Sequence, residues 1–79
     1  MHHELEAVTN YISDAIVGFC AKRQIFHADE LREHVTQTCG HVAPGSADRV
    51  LRSLRQQRRV DYRVLSRKSS LYEVLAVNQ

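Results

Sequence analysis

Three helices packed on a small antiparallel sheet, an α+β fold, is what this sequence predicts, and three observations predict it. Apolar residues recur at spacings of three and four through the first two-thirds of the chain, the mark of helices with one buried face. After Arg58-Arg59 the period changes to that of strands, in two runs separated by the polar stretch Arg67-Lys68-Ser69-Ser70. The 79 residues leave room for one domain, 1–79, and no second core.

The elements follow in order. Leu5, Val8, Ile12, Ile16 and Phe19 share one side of a first helix over 4–22, with Ala15 and Cys20 flanking the stripe. Acids near its start and Lys22-Arg23 at its end suit the helix dipole. Ile25-Phe26-His27 is β-prone and too short to stand alone, so it reads as an edge strand on a sheet formed later. Asp29 and Glu30 open a second helix whose stripe is Ala28, Leu31, Val35 and Thr38 or Cys39. Gly40, in a left-handed conformation, would close it, and Pro44-Gly45 prevents an uninterrupted continuation.

A third helix is expected over 44–58, with Pro44 suited to its first position or Ser46 to its cap. Ala47, Val50, Leu51, Leu54 and the stem of Arg58 fall on one face, and Arg49, Arg52, Ser53 and Gln56 on the other. A β-hairpin with a basic tip completes the chain. Its register stays open, because Val64-Leu65 and Val74-Leu75 each set two apolar residues side by side.

Charge is unevenly divided. The chain is 25% charged with a formal net charge of +2. Residues 1–45 hold three cations and six acids, whereas 46–79 hold eight cations and three acids. A field of that kind draws a polyanion to one side of a small domain, and arginine suits bidentate contact with phosphate or guanine. A solvated helix face without a partner is the alternative.

Other classes of function find little support. A domain this short draws only about 3–5 kcal/mol of stability from its core and spares few buried positions for catalysis. No phosphate-cradling glycine loop and no nucleophile elbow is present, and no enzyme activity or cofactor is expected. His27, His34 and His41 recur every seven residues near Cys39, but four zinc ligands at a structural-site spacing are lacking, so no metal is expected. Cys20 and Cys39 make no disulfide framework, no apolar run approaches a membrane span, and the first residues lack the features of a secretory signal. The expectation is a cytoplasmic protein in a reducing setting.

The order helix, short strand, helix, turn, helix, strand, basic loop, strand carries a resemblance. Residues 25–77 resemble a winged helix-turn-helix DNA-binding domain of the bacterial and phage type. The closest echo is the run from Val42 to Arg55, followed by Val60-Asp61-Tyr62 and Ser70-Leu71-Tyr72-Glu73-Val74. The chain departs where the family usually ends its recognition helix on glycine, since Arg58-Arg59 stand there.

The resemblance implies a three-helix bundle with a small sheet and wing, binding double-stranded DNA as a transcriptional regulator or architectural factor. Helix 44–58 would be the recognition helix in a major groove, with Ser46 in its first turn against a phosphate or base edge. Arg49, Arg52, Ser53 and Gln56 would follow the groove, arginine suiting guanine and glutamine suiting adenine. Arg67 and Lys68, in the wing 66–70, would reach an adjacent minor groove or the backbone. Asp48 in the same first turn repels phosphate unless it pairs with a neighbouring arginine or accepts from cytosine, and it also reads as an acid that favours the helix start. Arg55, Arg59 and Arg63 read either as phosphate contacts or as ion-pair partners of Asp61 or Glu73, and Tyr62 and Tyr72 as core. The competing reading is a protein-interaction module of the same fold within a larger assembly, hinted at by Tyr11 and Val17 lying off the first helix's stripe. That surface would also serve a homodimer binding two half-sites.

Overall fold

In the computed structural model, which describes residues 2–43 and 45–78 and side chains from Asn10 onward, six elements follow one another. They are α1 (His2–Lys22), β1 (Ile25–His27), α2 (Ala28–Cys39), α3 (Ser46–Gln56), β2 (Val60–Ser66) and β3 (Leu71–Val77). Ile12, Ile16 and Phe19 of the first helical stripe enter the core, while the side chains of Leu5 and Val8 lie outside the described residues. Val17 is buried at 6% exposure, which corrects its reading as a surface residue. The reason is tertiary: α1 packs against α2, α3 and β3 together, so its buried face is wider than one stripe. Tyr11 does stay outside, 70% exposed.

The core joins all layers. Leu31 and Val35 of α2, Val50, Leu51 and Leu54 of α3, Phe26 of β1, and Val60 and Tyr62 of β2 close on the α1 stripe. Tyr62 and Tyr72 both belong to this packing, Tyr72 stacked on Phe26 with centroids 5.4 Å apart and set edge-on to Tyr62 at 5.6 Å. Such aromatic pairs add to the burial term by about 0.5–1.5 kcal/mol each.

The sheet is antiparallel in the order β1-β3-β2, so the tripeptide strand pairs with the last strand and not with its sequence neighbour. Phe26 faces Tyr72, and Ile25 faces Glu73. The hairpin register breaks twice, at the two apolar pairs. Tyr62 faces Val74 while Asp61 faces Ala76, which leaves Leu75 as an extra residue. Val64 faces Tyr72 while Ser66 faces Leu71, which leaves Leu65 as another. A bulge lets one strand carry two consecutive apolar residues without turning its whole core face outward.

The third helix is shorter than 44–58 at both ends. Gly45 precedes it at φ +83°, a left-handed residue that no helix turn can contain, and Pro44 lies outside the described residues. At the other end Arg58 takes φ +61° in place of a glycine. Its N–H donates to the Arg55 carbonyl at 3.1 Å and the Arg59 N–H to the Leu54 carbonyl at 3.0 Å, the paired bonds of a Schellman closure. Arg58 therefore sits beyond the helix with an exposed side chain, and its stem does not extend the buried stripe. Gly40 ends α2 at φ +81° and ψ −165°, with its N–H on the Thr36 carbonyl at 2.9 Å, a positive-φ conformation other than the left-handed helical one.

Candidate nucleic-acid interface

α3 divides its residues by burial. Ala47, Val50, Leu51 and Leu54 are buried, while Arg49, Arg52, Arg55 and Gln56 are exposed and Ser53 is half-buried. Ser46 breaks the expected set. At 7% exposure its side chain is turned into the protein, and its N–H donates to the Ala43 carbonyl at 3.1 Å. It closes the loop at the helix start and is not available to a ligand in this arrangement. Arg67 and Lys68 are both exposed in the turn between β2 and β3.

The cations fall into two groups. Arg23 pairs with Glu30, Arg63 bonds Glu73 at 2.5 Å, and Arg32 bonds Asp29 at 2.8 Å and Asp48 at 2.7 Å. Arg55 lies over the Tyr62 ring at 5.1 Å from its centroid. Burial pushes the Tyr62 hydroxyl above its ordinary pKa, against the opposing pull of Arg55. Lys22, Arg49, Arg52, Arg58, Arg59, Arg67 and Lys68 have no acid partner among the described residues. The acids of the basic half are largely consumed in turn, with Asp48 held by Arg32 and Glu73 by Arg63. Asp48 is therefore the acid that an arginine neutralises, and that arginine comes from α2.

Sequence reasoning passed over Arg32 because it lies in the acidic half of the chain. Its partner Asp48 is sixteen residues away, a spacing with no local signature. The bonds to Asp48, ahead of those to Asp29, hold its guanidinium proton more firmly than usual.

The start of α2 contacts both the hairpin turn and the first turn of α3. The His27 ring nitrogen Nδ1 meets the Ser69 carbonyl at 3.1 Å, and the Ala28 N–H donates to the Ser70 carbonyl at 2.9 Å. The hairpin turn thus rests on the first residues of α2. One turn further on, Arg32 reaches Asp48 in the first turn of α3. Glu30 fixes this junction: it accepts from the His27 backbone N–H at 3.0 Å and pairs with Arg23 of the segment after α1. The His27 bond, then the Arg23 charge, hold the Glu30 carboxyl below its ordinary pKa of 4.5.

The histidines are dispersed. His27 serves the turn contact, His34 packs on Phe19 with ring centroids 5.1 Å apart, and His41 is exposed in the loop after α2. Cys20 and Cys39 are both free thiols, and burial pushes Cys20 up to about 11. No helix among the described residues is long and apolar enough to cross a membrane. Comparison with family models, curated proteins and solved structures finds no match to the chain.

Proposed function

We propose that this domain is a winged helix-turn-helix that binds double-stranded DNA, with α3 in a major groove and the 67–70 turn as the wing on an adjacent minor groove or the phosphate backbone. One observation supports the reading above the others. Arg23, Arg32 and Arg63 are tied to acids and Arg55 to an aromatic ring, while the exposed cations of α3 and the hairpin turn, Arg49, Arg52, Arg67 and Lys68, have no acid partner among the described residues, a state they share with Lys22, Arg58 and Arg59. Cations left unpaired on a domain rich in carboxylates have a use for a polyanion. The contact set is Arg49, Arg52, Ser53 and Gln56 with Arg67 and Lys68; Ser46 supports the helix start instead. A role in regulation or DNA architecture follows from this mode of binding, carried out by one copy or by a two-fold pair.

The test is fluorescence anisotropy of the whole chain with a labelled duplex of random sequence. Wild type should bind, and the combined Arg49→Ala and Arg52→Ala variant should lose most of the affinity while keeping its helical circular dichroism. Unchanged affinity in the folded variant excludes α3 as the reading element. A second reading, docking onto another protein, is favoured by Ile25, Val64, Leu65 and Leu75, large apolar side chains that stay exposed on the sheet.

A further inference from the structure

We propose that the exposed face of α1 centred on Gly18 binds a second copy of this chain, the two helices crossing antiparallel with Gly18 against the partner's Gly18. This pairing is separate from DNA binding. At helical spacing Tyr11, Asp14, Gly18, Ala21 and Lys22 share one face of α1. Gly18 is half-buried and the other four are exposed. Beside them, between α1 and α2, runs a groove of about 410 Å³ walled by Ala15, Phe19, His34 and Thr38.

Gly18 has no structural reason within the chain. Glycine inside a helix lowers its stability relative to alanine, because its backbone loses more freedom on ordering. The packing of this fold does not require one here: a Cβ added at Gly18 has nothing within 4 Å. Its missing side chain leaves the α1 backbone open at the middle of an exposed face. How closely two helices approach depends on the side chains at their contact, so a second helix comes closest at this point.

Charge selects the occupant. Asp14 lies four residues before Gly18 and Lys22 four after it, about 12 Å apart along the axis and too far to pair with each other. Neither has a partner of opposite charge among the described residues. In an antiparallel copy crossing at Gly18, a residue one turn before the glycine stands opposite the residue one turn after it. Asp14 then meets the partner's Lys22, and Lys22 meets the partner's Asp14. A parallel copy would set Asp14 against the partner's Asp14. A two-fold contact must be self-complementary, and opposite charges placed evenly about a central glycine meet that requirement, which a different protein does not impose. Tyr11, one turn outside Asp14 and 70% exposed, reaches the end of the partner's α1 and gains cover that its own chain does not give.

Sedimentation equilibrium of the whole chain without DNA, from about 10 μM to about 1 mM, tests this, since one helix crossing is a small interface and its pairing depends on concentration. Wild type should pass from monomer to dimer over that range. Asp14→Lys and Lys22→Asp should each weaken pairing at least about tenfold, because like charges then face each other. Mixed in equal amounts, the two variants should pair again, each supplying the sign that the other lacks. Gly18→Leu should abolish pairing and keep its helical circular dichroism, as nothing in the fold meets the new Cβ. A wild type that stays monomeric throughout overturns the proposal and leaves this face to a different protein. Wild-type pairing in either charge variant, no pairing in the mixture, or a Gly18→Leu chain that still dimerises each overturns it as well. None of these variants touches α3 or the hairpin turn, so their failure leaves the DNA reading as it stood.

Discussion

Arg58 is one of two non-glycine residues, with Ser70, that hold a positive φ among the described residues. Its φ of +61° closes α3 in a conformation that an L-residue with a Cβ adopts at a cost, and that glycine adopts freely. Replacing it by glycine should stabilise the domain by about 0.5–1 kcal/mol, raising Tm by roughly 2–8 °C for a domain of this size. Gly45 is the mirror case. At φ +83° with nothing within 4 Å of an added Cβ, Gly45→Ala meets strain without a clash and should lose about 1 kcal/mol, read in the same thermal melts. A rise in Tm for Gly45→Ala would contradict the left-handed assignment there. Glu30 offers a pH handle. Its folded pKa is lowered, so the stability it contributes is present above 4.5 and fades as pH falls through the lower folded value. The Tm gap between wild type and Glu30→Gln should therefore be full at neutral pH and close in acid below 4.5. A gap that persists unchanged to about pH 3 would show that the carboxylate charge is not its source.

Elements differ in what they can tell a duplex. A side chain on the exposed face of α3 that meets a base edge discriminates, whereas one on the hairpin turn that meets phosphate only holds. Arg52→Ala should cost about 1–3 kcal/mol on a preferred site and relax preference at one base pair, while Arg67→Ala weakens all sequences alike. The comparison needs a selected site and its single-base variants; an equal loss on all of them for Arg52 would make it a backbone contact. The hairpin explains why its own register was illegible. Val64-Leu65 and Val74-Leu75 violate strict alternation, and each violation is absorbed by a bulge whose position depends on which neighbours fill the core. The helix limits went astray for a related reason. Propensity let Pro44 open α3 and Arg58 extend it, yet the left-handed residues at Gly45 and Arg58 are set by how the chain must turn into and out of the bundle.

For the molecule as a whole, the sorting of cations yields a number. If the four cations of the α3 face and turn without acid partners meet phosphates, with one flanking arginine joining them, the logarithm of affinity should fall against the logarithm of salt with a slope of about −4 to −5. Titrating the complex with potassium chloride measures it, and a flat response excludes backbone contact as the source of binding. Element identity was largely written in the chain: three stripes at helical spacing and two alternating runs needed no partner to be read. The candidate site was legible as composition, since an arginine-rich face and a basic turn are local features. Its refinement was not. Ser46 is polar and stands where a contact residue would, and only its burial against the loop removes it from that role.

The amino-acid order by itself determined the kinds of element and the excess of positive charge in the second half, because both depend on neighbours a few positions away. Tertiary structure alone decided that β1 joins β3, that Arg32 neutralises Asp48, that Val17 is interior, and that the basic turn rests against the start of α2. Each of these depends on groups far apart along the backbone, where shared burial and paired charge fix the partner and no short-range pattern names it.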